Sequence, residues 1–225
     1  MISPCLSNIF LHYVPDEWFE TAVRPRLRGR CILVRYADDL VMAFEHVDDA
    51  ERVLAVLGKR FERDGLTLHP DKTRFVDLRA RRPERTIHPS VDSTSFDFLG
   101  LTHVWGKSRN GKHMVRQVTA KSRYARALAS VTEWCRANRH QPILEQHARL
   151  ATMMRGHYAY YGVAGNHRRL RRYARQVVRI WHKWLSRRGR HGHVLWNRLT
   201  ELLKRHPLPP PRITHRYTAA SEALS

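Results

Sequence analysis

Asp38 and Asp39 stand side by side in "CILVRYADDLVMAF" (Cys31–Phe44), between two apolar runs that each suit a buried strand. A lone carboxylate is costly to bury, and two adjacent ones repel each other. Held together at a rigid tip, they offer hard oxygen ligands, the donor type that suits Mg²⁺. Paired ions about 3.5–4 Å apart are a known device for in-line phosphoryl displacement, one activating the attacking oxygen and the other holding the leaving phosphate. The competing reading is a solvated Asp-Asp turn, because aspartate is common in turns.

A second set of residues suits a polyanion. Arg168, Arg172, Arg175, Arg179 and Lys183 recur at steps of 4, 3, 4 and 4, which places them on one helix face. Leu170, Tyr173, Val177, Ile180 or Trp181, and Trp184 fall on the opposite face. Arginine forks match phosphate oxygens, and backbone contacts dominate affinity for nucleic acid. The alternative is a merely solvated basic face. The charge of the whole chain favours the first reading. The net charge is +21; residues 1–116 hold 19 Lys and Arg against 16 Asp and Glu, and residues 117–225 hold 22 against 4. A half that basic calls for a polyanionic partner, usually nucleic acid.

These residues need elements to hold them. Two strands, Cys31–Arg35 and Leu40–Phe44, would carry the aspartates at a hairpin tip. Ahead of them, "SPCLSNIFLHYVPDEWFE" reads as a helix from Ser3, with Leu6, Ile9 or Phe10, Tyr13 and Trp18 at helical spacing and Pro15 bending or ending it. Residues 48–64 read as an amphipathic helix on Ala50, Val53, Leu54, Leu57 and Phe61, closed by Gly65. A turn at Pro70-Asp71 precedes a strand from Thr73. Phe96–Trp105 reads as a strand broken at Gly100, and Asn110-Gly111 signals a hairpin over Thr102–Val118. From Thr119, a plausible N-cap, the pattern turns helical, with four apolar stripes ending before "HPLPPPR". Tyr158 and Tyr161 fall on a core stripe, whereas Tyr160 points elsewhere and could stack on a base. "HGH" (His191–His193) has no third ligand nearby, which argues against zinc.

The fold class is therefore α+β: an antiparallel sheet with helices, then an all-α basic region, with the boundary near residue 117. No apolar run is long enough to span a membrane, and the N-terminus lacks a secretory pattern. Cys5, Cys31 and Cys135 are far apart and odd in number, which fits a reducing compartment, so a cytoplasmic protein without a membrane is expected.

"RYADDLV" resembles the metal-binding hairpin of reverse transcriptases. "SPCLSNIFLHYV" resembles the palm segment of that family near the incoming nucleotide and template, "GLTLHPDKT" the next palm motif, and "FDFLGL" the primer-grip-side motif that follows; the four stand in the family's order. "GHYAYYGVAGN" and "RIWHKWLSRRGR" resemble the thumb and maturase domain of group II intron reverse transcriptases. The resemblance implies a partial palm over 1–116, a thumb and maturase-specific helical domain over 117–217, and a tail over 218–225. It implies Mg²⁺ on Asp38 and Asp39, and Lys72 near the departing pyrophosphate, although a surface lysine after a turn is the plainer reading. It puts Tyr36 and Ala37 under the primer end and Ser3, Pro4 and Asn8 on the template side, although a Ser-Pro helix start explains the first two equally well. Group II intron RNA and RNA–DNA duplex are the implied partners, with deoxynucleoside triphosphate a substrate of the full-length family. The family also uses a third aspartate and a fingers region upstream of the Ser-Pro segment. These 225 residues are accordingly expected to be inactive alone in DNA synthesis, with a separate N-terminal fragment a possible partner and a non-catalytic RNA-binding maturase remnant the other reading.

Overall fold

The computed structural model describes residues 3–77, 95–107, 111, 113–189 and 194–215. The chain is mixed α and β and divides into two compact units, Met1–Arg74 and Phe75–Ser225. Among the described residues, no helix is long and apolar enough to cross a membrane. All three cysteines are free. Burial pushes the Cys135 thiol up to about 12 and leaves it inert.

The first unit opens with α1 (Ser3–Leu11). The helix does not stop at Pro15. It widens into π-helical turns over His12–Glu17 and Phe19–Val23, then tightens to a 3-10 turn at Arg24–Arg26. A proline ring clashes with the carbonyl of the preceding α-turn, and widening that turn removes the clash without ending the helix. The expected apolar stripe of α1 is not buried: Leu6, Ile9, Phe10 and Tyr13 are all exposed. The buried residues lie further along, at Val14, Phe19 and Val23.

Strands β1 (Cys31–Tyr36) and β2 (Asp39–Phe44) form an antiparallel pair in the register Cys31↔Phe44 to Tyr36↔Asp39. Helix α2 (Val47–Arg63) packs Val53, Leu57 and Phe61 against the inner hairpin face and the π-helical segment; Leu54, expected on that stripe, is exposed. Its end is a Schellman motif: the Gly65 amide donates to Glu62 and the Leu66 amide to Phe61, with Gly65 at φ 73°. Asp49, buried at its start, accepts from the Arg28 and Gly29 amides at 2.9 and 3.1 Å and fixes the basic loop before β1. Beyond α2, the Lys72 and Thr73 amides both turn back to the His69 carbonyl. Thr73–Asp77 forms no strand beyond a bridge at Val76.

The second unit begins with an antiparallel meander, β3 (Ser95–Phe98), β4 (Leu101–Lys107) and β5 (His113–Thr119). The expected single strand with a break at Gly100 is instead a tight hairpin. Leu99 and Gly100 both take left-handed backbones, φ 49° and 74°, and Phe98 pairs with Leu101 across them. The β4–β5 hairpin forms where expected; Gly111 has φ 76° and Asn110 lies outside the described residues, as does "HGH".

Four helices follow: α3 (Lys121–Ala137), α4 (Ile143–Tyr161), α5 (His167–Leu185) and α6 (Trp196–Arg205). One core joins them through Val131, Cys135, Leu150, Met154, Tyr158, Leu170, Tyr173, Val177, Trp181, Leu185 and Leu199. Inside it, the Trp181 indole donates to Gln146 at 2.9 Å. Thr119 does not cap α3. It ends β5, and its side chain and amide both bond to the buried Asn166, which also donates to the Tyr161 carbonyl. After α6, the proline-bearing segment from Pro207 runs back as a strap. Leu208 and Ile213 pack on the core, and the Thr214 and His215 amides donate to the Gly162 carbonyl at 2.7 and 2.9 Å, capping α4. Gly162 has no room for a side chain: a Cβ would lie 2.3 Å from the Tyr158 carbonyl.

Candidate metal site and nucleic-acid interface

The β1–β2 register leaves a two-residue loop, Ala37-Asp38. Ala37 has φ 52°, the left-handed region that this kind of hairpin turn demands and that glycine usually fills. Asp38 is the second loop residue and Asp39 the first of β2. Both are exposed, and no cation of the described residues pairs with either. Two carboxylates within one tight turn suit a hard divalent cation in their donor chemistry, although among the described residues no group of three or more such ligands gathers. Alternation along β1 sorts the rest. Cys31, Leu33 and Arg35 face the unit's interior, whereas Ile32, Val34 and Tyr36 face outward at 47%, 46% and 63% exposure. Tyr36 and its cross-strand partner Asp39 therefore share the outer face.

Sequence reasoning missed Arg35. Its guanidinium makes a forked pair with Asp16, Nε at 2.9 Å from Oδ1 and Nη2 at 2.7 Å from Oδ2, with only 15% and 21% of the two side chains exposed. Bonding to that carboxylate raises the Arg35 pKa and holds the group charged more firmly than usual. Its remaining nitrogen, Nη1, donates to Asn8 Oδ1 at 3.0 Å and to the Ala37 carbonyl at 3.2 Å. The signal was present: an arginine at an inward position of an apolar strand must find a carboxylate.

Of the residues singled out from the sequence, Tyr36, Ala37, Asp38 and Asp39 come together at the tip, and Asn8 reaches it through Arg35. Ser3 and Pro4 begin α1, but their side chains lie outside the described residues. Lys72 is exposed on the turn after α2, without an ion pair among the described residues, and no hydrogen bond ties it to the aspartates.

In the second unit, Arg168, Arg172, Arg175, Arg179 and Lys183 are all exposed on α5, opposite the buried Leu170, Tyr173, Val177 and Trp181. No carboxylate of the described residues pairs with them; Lys183 lies 5.6 Å over the Trp184 ring. Arg169, off that row, lies 5.0 Å over Tyr124. Tyr160 is exposed but engaged: its hydroxyl donates to the Leu99 carbonyl at 3.0 Å and so pins the β3–β4 turn to α4.

Residues 1–103 match the family model described as reverse transcriptase (RNA-dependent DNA polymerase). The match takes in the whole first unit, the carboxylate turn included, and ends within β4. No curated protein matches the chain. The helical half that carries the arginine row lies beyond the match.

Proposed function

We propose that this chain carries the palm hairpin and thumb of a group II intron reverse transcriptase and maturase, with folded intron RNA and RNA–DNA duplex as partners in the cytoplasm. The observation that carries the reading is the exposed carboxylate pair, unpaired among the described residues, on a tight turn inside a segment of reverse transcriptase type. In this reading Asp38 and Asp39 hold Mg²⁺, which supplies Lewis-acid stabilisation of the transferring phosphoryl group. Lys72 stabilises the departing pyrophosphate of the deoxynucleoside triphosphate. Tyr36 and Ala37 support the primer end, and Ser3, Pro4 and Asn8 line the template side. The functional border falls near residue 117, with palm before it and thumb and maturase helices after it.

A second reading, RNA binding without catalysis, is favoured by one observation of its own: the exposed cationic row of α5, which pairs with no carboxylate among the described residues. Guanidinium groups on a rigid helix read phosphate and A-form shape rather than sequence. Binding and primer extension by the 225-residue chain separate the two. With Mg²⁺ and a primed RNA template, the expected outcome is retention of intron RNA without DNA synthesis. Incorporation that vanishes in Asp38→Ala would assign full catalysis to these residues. Failure to retain RNA above a double-stranded DNA control would remove both readings.

A further inference from the structure

We infer that Arg35 is a positioning residue that sets the Asp38–Asp39 turn and ties it to α1. The inference rests on the metal-site reading and gives Arg35, a member of the motif without a stated role, a part in it.

Four observations converge on one guanidinium. It forks onto both oxygens of Asp16, which stands directly after Pro15 in the π-helical turn. It reaches Asn8 on α1. It holds the carbonyl of Ala37, the residue immediately before the pair. And Ala37 stands in a left-handed conformation, which a non-glycine residue leaves readily unless something holds it. The donors of Arg35 therefore divide between two anchorages. One side fastens the group to the helical segment, and the other holds the turn. A planar, always charged fork can do both at once, whereas a lysine ammonium on a flexible stem cannot keep the two directions.

Two carboxylates capture a divalent ion well only when their spacing is held before the ion arrives; otherwise binding must order the turn at its own expense. Partners that orient metal ligands typically change affinity about 10–100-fold when removed. Arg35 touches no metal in this scheme. It acts through the Ala37 carbonyl, and so the metal affinity of the turn depends on α1 and on the π-helical turn that presents Asp16.

The test uses the full 225-residue chain with Mn²⁺ as the probe, free Mn²⁺ being counted by its electron paramagnetic resonance signal. Asp38→Ala is expected to abolish binding at the turn. Arg35→Gln is expected to weaken it about tenfold. Arg35→Lys, which keeps a cation opposite Asp16 but gives up the reach to Ala37, is expected to weaken it nearly as much. Val53→Ala, a core truncation that packs at the Cys31–Phe44 end of the hairpin, away from the turn, is expected to lower stability with little change in Mn²⁺ affinity. Absence of Mn²⁺ binding, or binding indifferent to Asp38→Ala, overturns the metal-site reading and this inference with it. Binding lost in Asp38→Ala but no weaker in Arg35→Lys than in Val53→Ala overturns the positioning role alone and leaves the metal site standing. Should Arg35→Gln fail to fold, Arg35→Lys and Asn8→Ala read the same contacts, and full Mn²⁺ affinity in both would also overturn it.

Discussion

At the residue scale, the tip of the β1–β2 hairpin concentrates strain and charge together. Ala37 takes a left-handed backbone at a cost of about 1–2 kcal/mol relative to glycine's freedom there. Ala37→Gly is therefore expected to stabilise the chain by about 0.5–1 kcal/mol after its larger unfolded-state entropy is set against that relief. Urea unfolding of the full chain checks it, and a loss of stability would mean that the Ala37 methyl packs, contrary to its exposed position. The carboxylate pair was legible in the sequence because two aspartates between apolar strands have so few explanations. Arg35 was not, because it was read as part of a motif rather than by the two-residue period that sends it inward. Leu99 was missed for a related reason. Leucine is no signal for a left-handed turn, yet the Tyr160 hydroxyl and the following Gly100 hold it in one.

At the element scale, the helices were read correctly where a 3.6-residue stripe had to be buried, as in α2 and α5, and poorly where backbone chemistry decided the outcome. The π-helical continuation through Pro15 has nearly the same apolar spacing as a helix that stops. Helix α4 carries a titratable group that the stripe conceals. His157 is buried, stacked 3.8 Å from the Tyr173 ring, and its Nε2 has no hydrogen-bond partner among the described residues. Burial pulls its pKa down from 6.5 to about 4, so the folded state disfavours the imidazolium. The unfolded chain takes up the proton first. Stability from this group is thus complete above pH 6.5, falls as the pH drops toward 4, and levels off below it. The loss is on the order of 2–3 kcal/mol. His103 in β4 is shifted the same way by burial and adds to the slope. His157→Phe keeps the stacking surface and removes the proton site, so its urea midpoint is expected to vary less between pH 7 and pH 4.5 than that of the unsubstituted chain. Equal pH dependence in the two would place the titrating group elsewhere.

At the scale of the whole molecule, charge is uneven between the two compact units. The first unit holds 11 Lys and Arg against 12 Asp and Glu, and the second holds 30 against 8. The charge and the periodicity change near residue 117, which is the proposed functional border; by compactness, the β3–β5 meander groups with the helices. Any polyanion therefore meets the second unit as its main electrostatic target. Replacing Arg172, Arg175 and Arg179 with Gln is expected to weaken RNA binding without regard to sequence. It should also reduce the slope of log affinity against log salt by about one for each phosphate no longer neutralised. Filter binding at several salt concentrations measures the slope, and an unchanged one would move the interface off α5. The proline-bearing strap was legible only as something that could not be helix, since prolines forbid one structure without naming another. Its position also has a consequence in time. Thr214 reaches back across 52 residues to the Gly162 carbonyl, and a ribosome adding about 5–20 residues per second takes roughly 3–10 s to supply it. Helical bundles fold in microseconds to milliseconds. During every round of synthesis the end of α4 therefore waits, long on its own timescale, with the Gly162 carbonyl open to chaperones and to other nascent chains.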